Sequence, residues 1–231
     1  MTDQHYNPEY FASQISKSNA KVAQQYGQLL DYAHIEATRY PRFLDAGCGA
    51  GPALSFLQNQ GFQVVGSDLV LYPLEQARKR SPQTALVNAD LRSALPFANS
   101  SFEVILASEV IEHLSDADAF LAECWRVLTP GGCLLLTTPN LWDLRRPWAS
   151  LTRQVWSGYQ DPTHINLMTP RRLVKLLHAA RFGQVKWKSG VKPWWSRSSR
   201  RLNFKLSLPY PPLVGNGIMA AAFKTDTSIK S

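Results

Sequence analysis

The sequence predicts an α/β fold built on a doubly wound, mostly parallel sheet of seven strands. Three observations carry this. Short apolar runs alternate with amphipathic helical segments from about residue 41 to residue 140. The connections between them are short, as in repeated β-α-β units. A glycine-rich turn at Gly47, Gly49 and Gly51 joins the first run to the first helix of the alternation.

Each element follows in order. Residues 1–40 read as helical, with Val22, Tyr26, Leu29, Leu30 and Ala33 spaced along one face. "RFLDAG" is a short buried strand, and "GPALSFLQNQG" a helix with Pro52 in its first turn and Gly61 at its end. Strand "FQVVGSD", helix "PLEQARKRS" and strand "TALVNAD" come next. Strand "FEVILAS", helix "DADAFLAECWRVL" and strand "GGCLLLTTP" complete the alternation. Beyond it, "TPRRLVKLLHAARF" is a helix leading into strand "GQVKWKSG", and "NGIMAAAFKT" is a last strand, antiparallel to its neighbour. The stretch "PWWSRSSRRLNFKLSLPYPP" reads as irregular. Sheets of this kind take ligands at the carboxyl ends of their strands.

At 231 residues the chain suits one domain. Apolar runs are too short for a transmembrane helix, and the polar N-terminus lacks a secretory h-region. Three widely spaced cysteines suggest no disulfide framework or zinc ribbon, which fits a reducing, cytoplasmic setting. The charge is unevenly spread. Residues 1–144 hold 9 Lys/Arg against 15 Asp/Glu, whereas residues 145–231 hold 16 against 2. A basic, aromatic-rich end could attract a phosphorylated substrate, RNA or an anionic membrane surface.

Three carboxylates mark three successive strand ends. Asp45 precedes the glycine turn, where a dinucleotide fold more often keeps an apolar residue. Asp68 ends the second strand, placed to accept from both hydroxyls of a ribose. Asp90 follows the third strand, where it could accept from an exocyclic amine. This set suits a neutral-to-cationic nucleoside better than a polyphosphate.

The ordered motifs "LDAGCGAG", "VVGSDL", "NADL", "LPFANSSFEVILASEVIEHL" and "RVLTPGGCLLLTTPN" resemble those of the class I S-adenosylmethionine-dependent methyltransferases, which share a Rossmann-like fold. The resemblance covers residues 42 to about 140 closely and the remainder loosely. It implies an N-terminal cap (1–40), a cofactor-binding half (41–140) and an acceptor-side half (141–231). By the resemblance, the loop from Asp45 through Gly47, Cys48 and Gly49 to Gly51 would hold the methionine part of S-adenosylmethionine. Asp68 would bind the ribose, Leu69 would pack on adenine, and Asp90 would take the adenine amine beside the Leu91 backbone. Ser108 would lie near the methionine carboxylate and sulfonium, and Tyr6, Tyr10 or Phe11 of the cap would touch the cofactor.

"EVIEHL" leaves two readings open. Glu109, Glu112 and His113 share one face if helical. Two groups of this family, ubiquinone-pathway O-methyltransferases and small-RNA 2′-O-methyltransferases, bind a divalent ion with such a Glu-x-x-Glu-His pattern. His164 would complete that set, with Mg²⁺ as the ion, although His is an unusual Mg²⁺ ligand. Alternatively the carboxylates favour a helix N-terminus, and His164 or His113 serves as a base without metal. Trp142, Trp148, Trp156 and Tyr159 among Arg145, Arg146 and Arg153, then Trp194, Trp195, Arg197, Arg200 and Arg201, would border the acceptor. The expected activity is O-methylation of a small, lipid-linked or glycan-linked acceptor. RNA 2′-O-methylation, or an inactive cofactor-binding homologue serving as a structural subunit, are the alternatives.

Overall fold

The computed structural model describes residues 8–16, 18–190, 195–199, 204–208 and 213–225. Helices α1 (Pro8–Ile15) and α2 (Asn19–Ala33) lead the chain. The Ser18 side chain caps α2 by accepting from the Lys21 N–H, and His34 stops it in a left-handed conformation. The alternation follows as β1 (Arg42–Ala46), α3 (Leu54–Asn59), β2 (Gln63–Asp68), α4 (Leu71–Arg80), β3 (Ala85–Asn88) and β4 (Phe102–Ser108). Then come α5 (Ala117–Val127), capped by Asp116, and β5 (Leu128–Pro139). The remainder comprises α6 (Arg145–Leu151), α7 (Pro170–Ala179), β6 (Phe182–Ser189), β7 (Trp195–Ser199), β8 (Phe204–Leu208) and β9 (Gly217–Lys224). Pro170 sits in the first turn of α7, where its missing N–H has no helical partner to lose.

Seven strands form one sheet in the order β3-β2-β1-β4-β5-β9-β6. The first five pair in parallel, and β9 runs antiparallel between β5 and β6. Strand order reverses between β1 and β4, which opens a crevice at their carboxyl ends. The period-two alternation of strands splits the core. Phe43, Val104, Leu106 and Leu135 face one cluster with α2 and α3, and Leu44, Ile105, Leu134 and Leu136 face another with α5 and α7. Burial of each such side chain contributes about 1.5–3 kcal/mol.

The stretch expected to be irregular contains β7 and β8, which pair antiparallel with Trp195 opposite Leu208 and Ser199 opposite Phe204. The alternation of Phe204, Lys205, Leu206, Ser207 and Leu208 is the strand signal that the flanking prolines and tryptophans obscured. Among the described residues, no helix is long and apolar enough to cross a membrane. Cys48, Cys124 and Cys133 are free and buried.

Candidate functional site

The crevice is built from loops that follow β1, β2, β3 and β4. After β1 the chain turns back at once. Gly47 and Cys48 both donate backbone N–H groups to the Ser67 carbonyl at 2.8 and 2.9 Å. Gly47 adopts φ +79°, and a Cβ there would lie 2.5 Å from Cγ2 of Val110. Asp68 then locks the turn, its carboxylate accepting from the Gly49 N–H at 2.8 Å and the Val70 N–H at 3.0 Å.

Gly47, Gly49, Asp68, Leu69, Asp90 and Leu91 line the cavity so formed, together with Arg92, Glu109, Val110, His113 and Leu114. Tyr10 and Phe11 of α1 close it from above. Tyr6 lies outside the described residues. Asp45, Cys48, Gly51 and Ser108 stand behind this lining. The Cys48 sulfur packs against Gly66. Gly51, at φ +69°, leaves room for Ala77 of α4, which a Cβ would meet at 2.9 Å. Ser108 shares a 2.9 Å hydrogen bond with Thr137 and a second with the Tyr26 phenol.

The electrostatics are acidic. Burial, and then the charge of Asp68, push the Asp45 carboxyl up to about 7. Burial also raises Asp68, against the pull of the N–H groups it accepts from. Asp90 is held low by its bidentate pairing with Arg92, at 2.8–3.1 Å. Arg92 is the one Lys or Arg among the described lining residues, and that pairing ties it to a carboxylate. The Asp90 carboxylate is thus already engaged by this guanidinium, a local pairing that strand-end spacing did not signal.

"EVIEHL" is not an α-helix, so the shared helical face does not arise. Glu109 turns left-handed at φ 56°, its N–H donating to the Thr137 carbonyl, and only one 3-10 turn follows at Ile111–His113. The side chains part accordingly: Glu109 lines the cavity, whereas Glu112 is fully buried. Thr138 donates to Oε2 of Glu112 at 2.9 Å, and Oε1 has no hydrogen-bond partner among the described residues. Burial, and then the Glu109 charge, hold Glu112 well above the usual carboxylate range.

His113 and His164 meet with ring centroids 4.8 Å apart. Thr163 donates its hydroxyl to Asp161, so Oγ1 must accept from Nδ1–H of His113, at 2.8 Å. His164 likewise donates Nδ1–H to the Gly158 carbonyl at 2.8 Å. Both rings thus carry their lone pairs on Nε2, that of His164 lying 3.8 Å from Oδ2 of Asp161. Burial, and then His164, lower the pKa of His113. Ligand atoms of Glu112, His113 and His164 lie within 4.8 Å of one another. With the orphaned Glu112 oxygen, this trio fits a divalent cation. Two imidazoles and one carboxylate suit a borderline first-row ion rather than Mg²⁺, which prefers oxygen ligands. Glu109 is not part of the trio.

The tryptophan-arginine segment is divided. Trp156 is buried and donates Nε1–H to Asp143 at 2.9 Å, and Arg145 pairs with the same carboxylate at 2.6 Å. Arg146 lies over the Tyr159 ring and Arg171 over Trp142. Trp148 is exposed. Trp194, Arg200 and Arg201, and the side chains of Trp195 and Arg197, lie outside the described residues. Sequence reading missed Asp161 and Thr163, which orient the histidines. The "DPTHIN" context offered a signal only through its turn-forming Asp-Pro.

Residues 44–136 match the family model described as a methyltransferase domain. A "Probable S-adenosylmethionine-dependent methyltransferase" of Mycolicibacterium smegmatis is 32% identical over 143 residues, covering 60% of this chain and 51% of that protein. A ubiquinone biosynthesis O-methyltransferase of Sinorhizobium fredii is 33% identical over 124 residues, covering 52% and 49%. The chain thus spans about half the length of these curated relatives. In fold, a SAM-dependent methyltransferase from Archaeoglobus fulgidus superposes with TM-score 0.69 at 19% identity, over 94% of this chain and 100% of that one. Ordered motifs, strand order and these matches agree: residues 44–136 are similar to a methyltransferase domain, and the fold is similar to that of S-adenosylmethionine-dependent methyltransferases.

Proposed function

We propose that the chain transfers the methyl of S-adenosylmethionine to a hydroxyl of a small, lipid-linked or glycan-linked acceptor. One observation carries the reading: His113 lines the acidic crevice suited to a cationic cofactor, and His164, whose Nε2 lies 3.8 Å from the Asp161 carboxylate, stands against it. In this reading the Gly47–Gly49 loop holds the methionine end with the Asp45 charge behind it, Ser108 stands behind the sulfonium side, and Asp68 takes the ribose. Leu69 and Leu91 flank adenine, with Asp90 at its amine. The acceptor oxygen attacks the methyl carbon in line. The new C–O bond forms as the C–S bond breaks, and the electron pair leaves on sulfur as a neutral thioether. The hydroxyl proton passes to Nε2 of His164, while His113 helps orient the acceptor.

Transfer of label from methyl-labelled S-adenosylmethionine into a methylation-deficient extract tests this. Label is expected in a solvent-extractable or small-molecule fraction. Label in RNA would establish the 2′-O-methyl alternative, and cofactor binding with no label in any fraction would mark an inactive homologue. His164→Gln is expected to lower kcat by about 10²–10⁴-fold with cofactor affinity retained. An unchanged kcat would remove His164 from the reaction.

A metal-assisted version is favoured by the unpartnered Oε1 of Glu112. Glu112, His113 and His164 would hold the ion, whose chemistry is to acidify the acceptor hydroxyl. Titration calorimetry with Zn²⁺ and Mn²⁺ on the wild type and Glu112→Gln tests it. Binding lost in the variant supports the ion, and no binding to the wild type excludes it.

A further inference from the structure

Nine large hydrophobic side chains are exposed among the described residues, and six of them fall between residues 144 and 165. Leu144, Trp148 and Leu151 recur at i, i+4 and i+7, so the stripe that a helix ordinarily buries faces outward along α6. Their exposures are 42, 66 and 76%, and Val155, just past the helix, reaches 63%. Solvent alone gives no reason for such a stripe.

The surrounding charge is mainly positive, with Asp161 the one acid between residues 144 and 165. Residues 144–160 contain Arg145, Arg146 and Arg153 and no Asp or Glu. The nearest upstream acid, Asp143, is buried. Exposed Arg171 and Arg172 of α7 adjoin the segment, Arg171 over the Trp142 ring and Arg172 donating to Asn166 at 2.6 Å. Exposed Trp and Leu set among arginines combine an apolar face with attraction for anions, the chemistry of an interfacial helix.

We infer that the segment 144–165 docks on the surface of an anionic lipid bilayer. Trp148, Leu151 and Val155 enter the headgroup boundary, and the arginines meet lipid phosphates. The segment is joined to the reaction centre, because the Gly158 carbonyl accepts from His164. A docked segment would therefore set His164 beside an acceptor carried in the membrane. Only this last point, the lipid-borne acceptor, rests on the proposed methyltransferase reading.

The test is co-sedimentation of the full chain with vesicles of mixed phosphatidylglycerol and phosphatidylcholine, against vesicles of phosphatidylcholine alone. Pelleting is expected with the anionic vesicles and is expected to weaken as salt rises. Trp148→Ser/Leu151→Ser should bind about tenfold more weakly, with S-adenosylmethionine affinity retained as the check on folding. Arg153→Glu should weaken binding by about fivefold or more. Failure of the wild type to pellet with anionic vesicles would overturn the inference, as would equal pelleting of the double variant. So would self-association in solution that the double variant abolishes, since the stripe would then belong to a second copy. Vesicle binding needs no turnover. Pelleting without methyl transfer to any fraction would therefore defeat the catalytic reading and leave the docking surface standing.

Discussion

Asp45 is 3% exposed at the carboxyl end of β1, with the Asp68 charge nearby. Its pKa rises from the ordinary carboxylate value to about 7, so the cofactor-free protein keeps it largely protonated below neutrality. The folded pKa is raised. Its contribution to stability is therefore full below the unfolded pKa of about 4 and is lost as pH climbs through about 7. Asp45→Asn should thus stabilise the cofactor-free chain at about pH 8, on the order of 2–4 kcal/mol, with little gain at about pH 4. The proposed function demands the opposite. A sulfonium ligand with an ammonium group favours the carboxylate, so binding below neutrality must expel a proton. Affinity should fall as pH drops from about 8 to 6, by up to about tenfold per unit below the pKa. Calorimetry in two buffers of different ionisation enthalpy reads that proton directly. Equal proton release by Asp45→Asn would show that another group supplies it.

At the scale of elements, the strands and helices were legible because each carries its own period and punctuation. Asp116 caps α5, Pro170 opens α7, and the β4 prediction over "FEVILAS" coincides with Phe102–Ser108. Acids at strand ends were legible for the same reason, since each closes an apolar run. The exit from β4 was not. The i, i+3, i+4 spacing of Glu109, Glu112 and His113 suggests a helix, but pairing of Ser108 with Thr137 holds the chain in the sheet until Glu109 reverses it. Long-range ties leave no local signal either. The Tyr10 phenol of α1 donates to Asp161, which in turn accepts from Thr163 beside the histidine pair. That bond links the cap to the acceptor side across the cavity. Tyr10→Phe should weaken cofactor binding by about 1–2 kcal/mol, mostly through faster release, with little change in melting temperature. Stopped-flow displacement of bound cofactor measures it, and an unaltered off-rate would mean that the tie does not retain the ligand.

Across the whole molecule, two charge regimes divide the chain. Carboxylates from the front of the chain line the cavity, and the basic remainder begins at α6, so under the proposed function a cationic donor and anionic surroundings of the acceptor would be attracted to different parts of the chain. Mechanical support is equally uneven. The central strands β4 and β5 are buried almost throughout, whereas α1 is anchored chiefly by Phe11, Tyr10 and a bond from Arg80 to the Ile15 carbonyl. Few buried apolar contacts mean a low free energy of local opening. An element that must admit a cofactor and then cover it fits that position. Hydrogen exchange should therefore find α1 opening far more readily than β4 or β5 without cofactor. Saturating S-adenosylmethionine should slow exchange in α1 and the Gly47–Gly51 loop, since ligand bound at about 100 times Kd adds about 2.7 kcal/mol to the state that holds it. Ligand-independent protection of α1 would show a fixed wall, and access to the cavity would then have to come from another side, such as that of Leu69, an exposed residue of its lining.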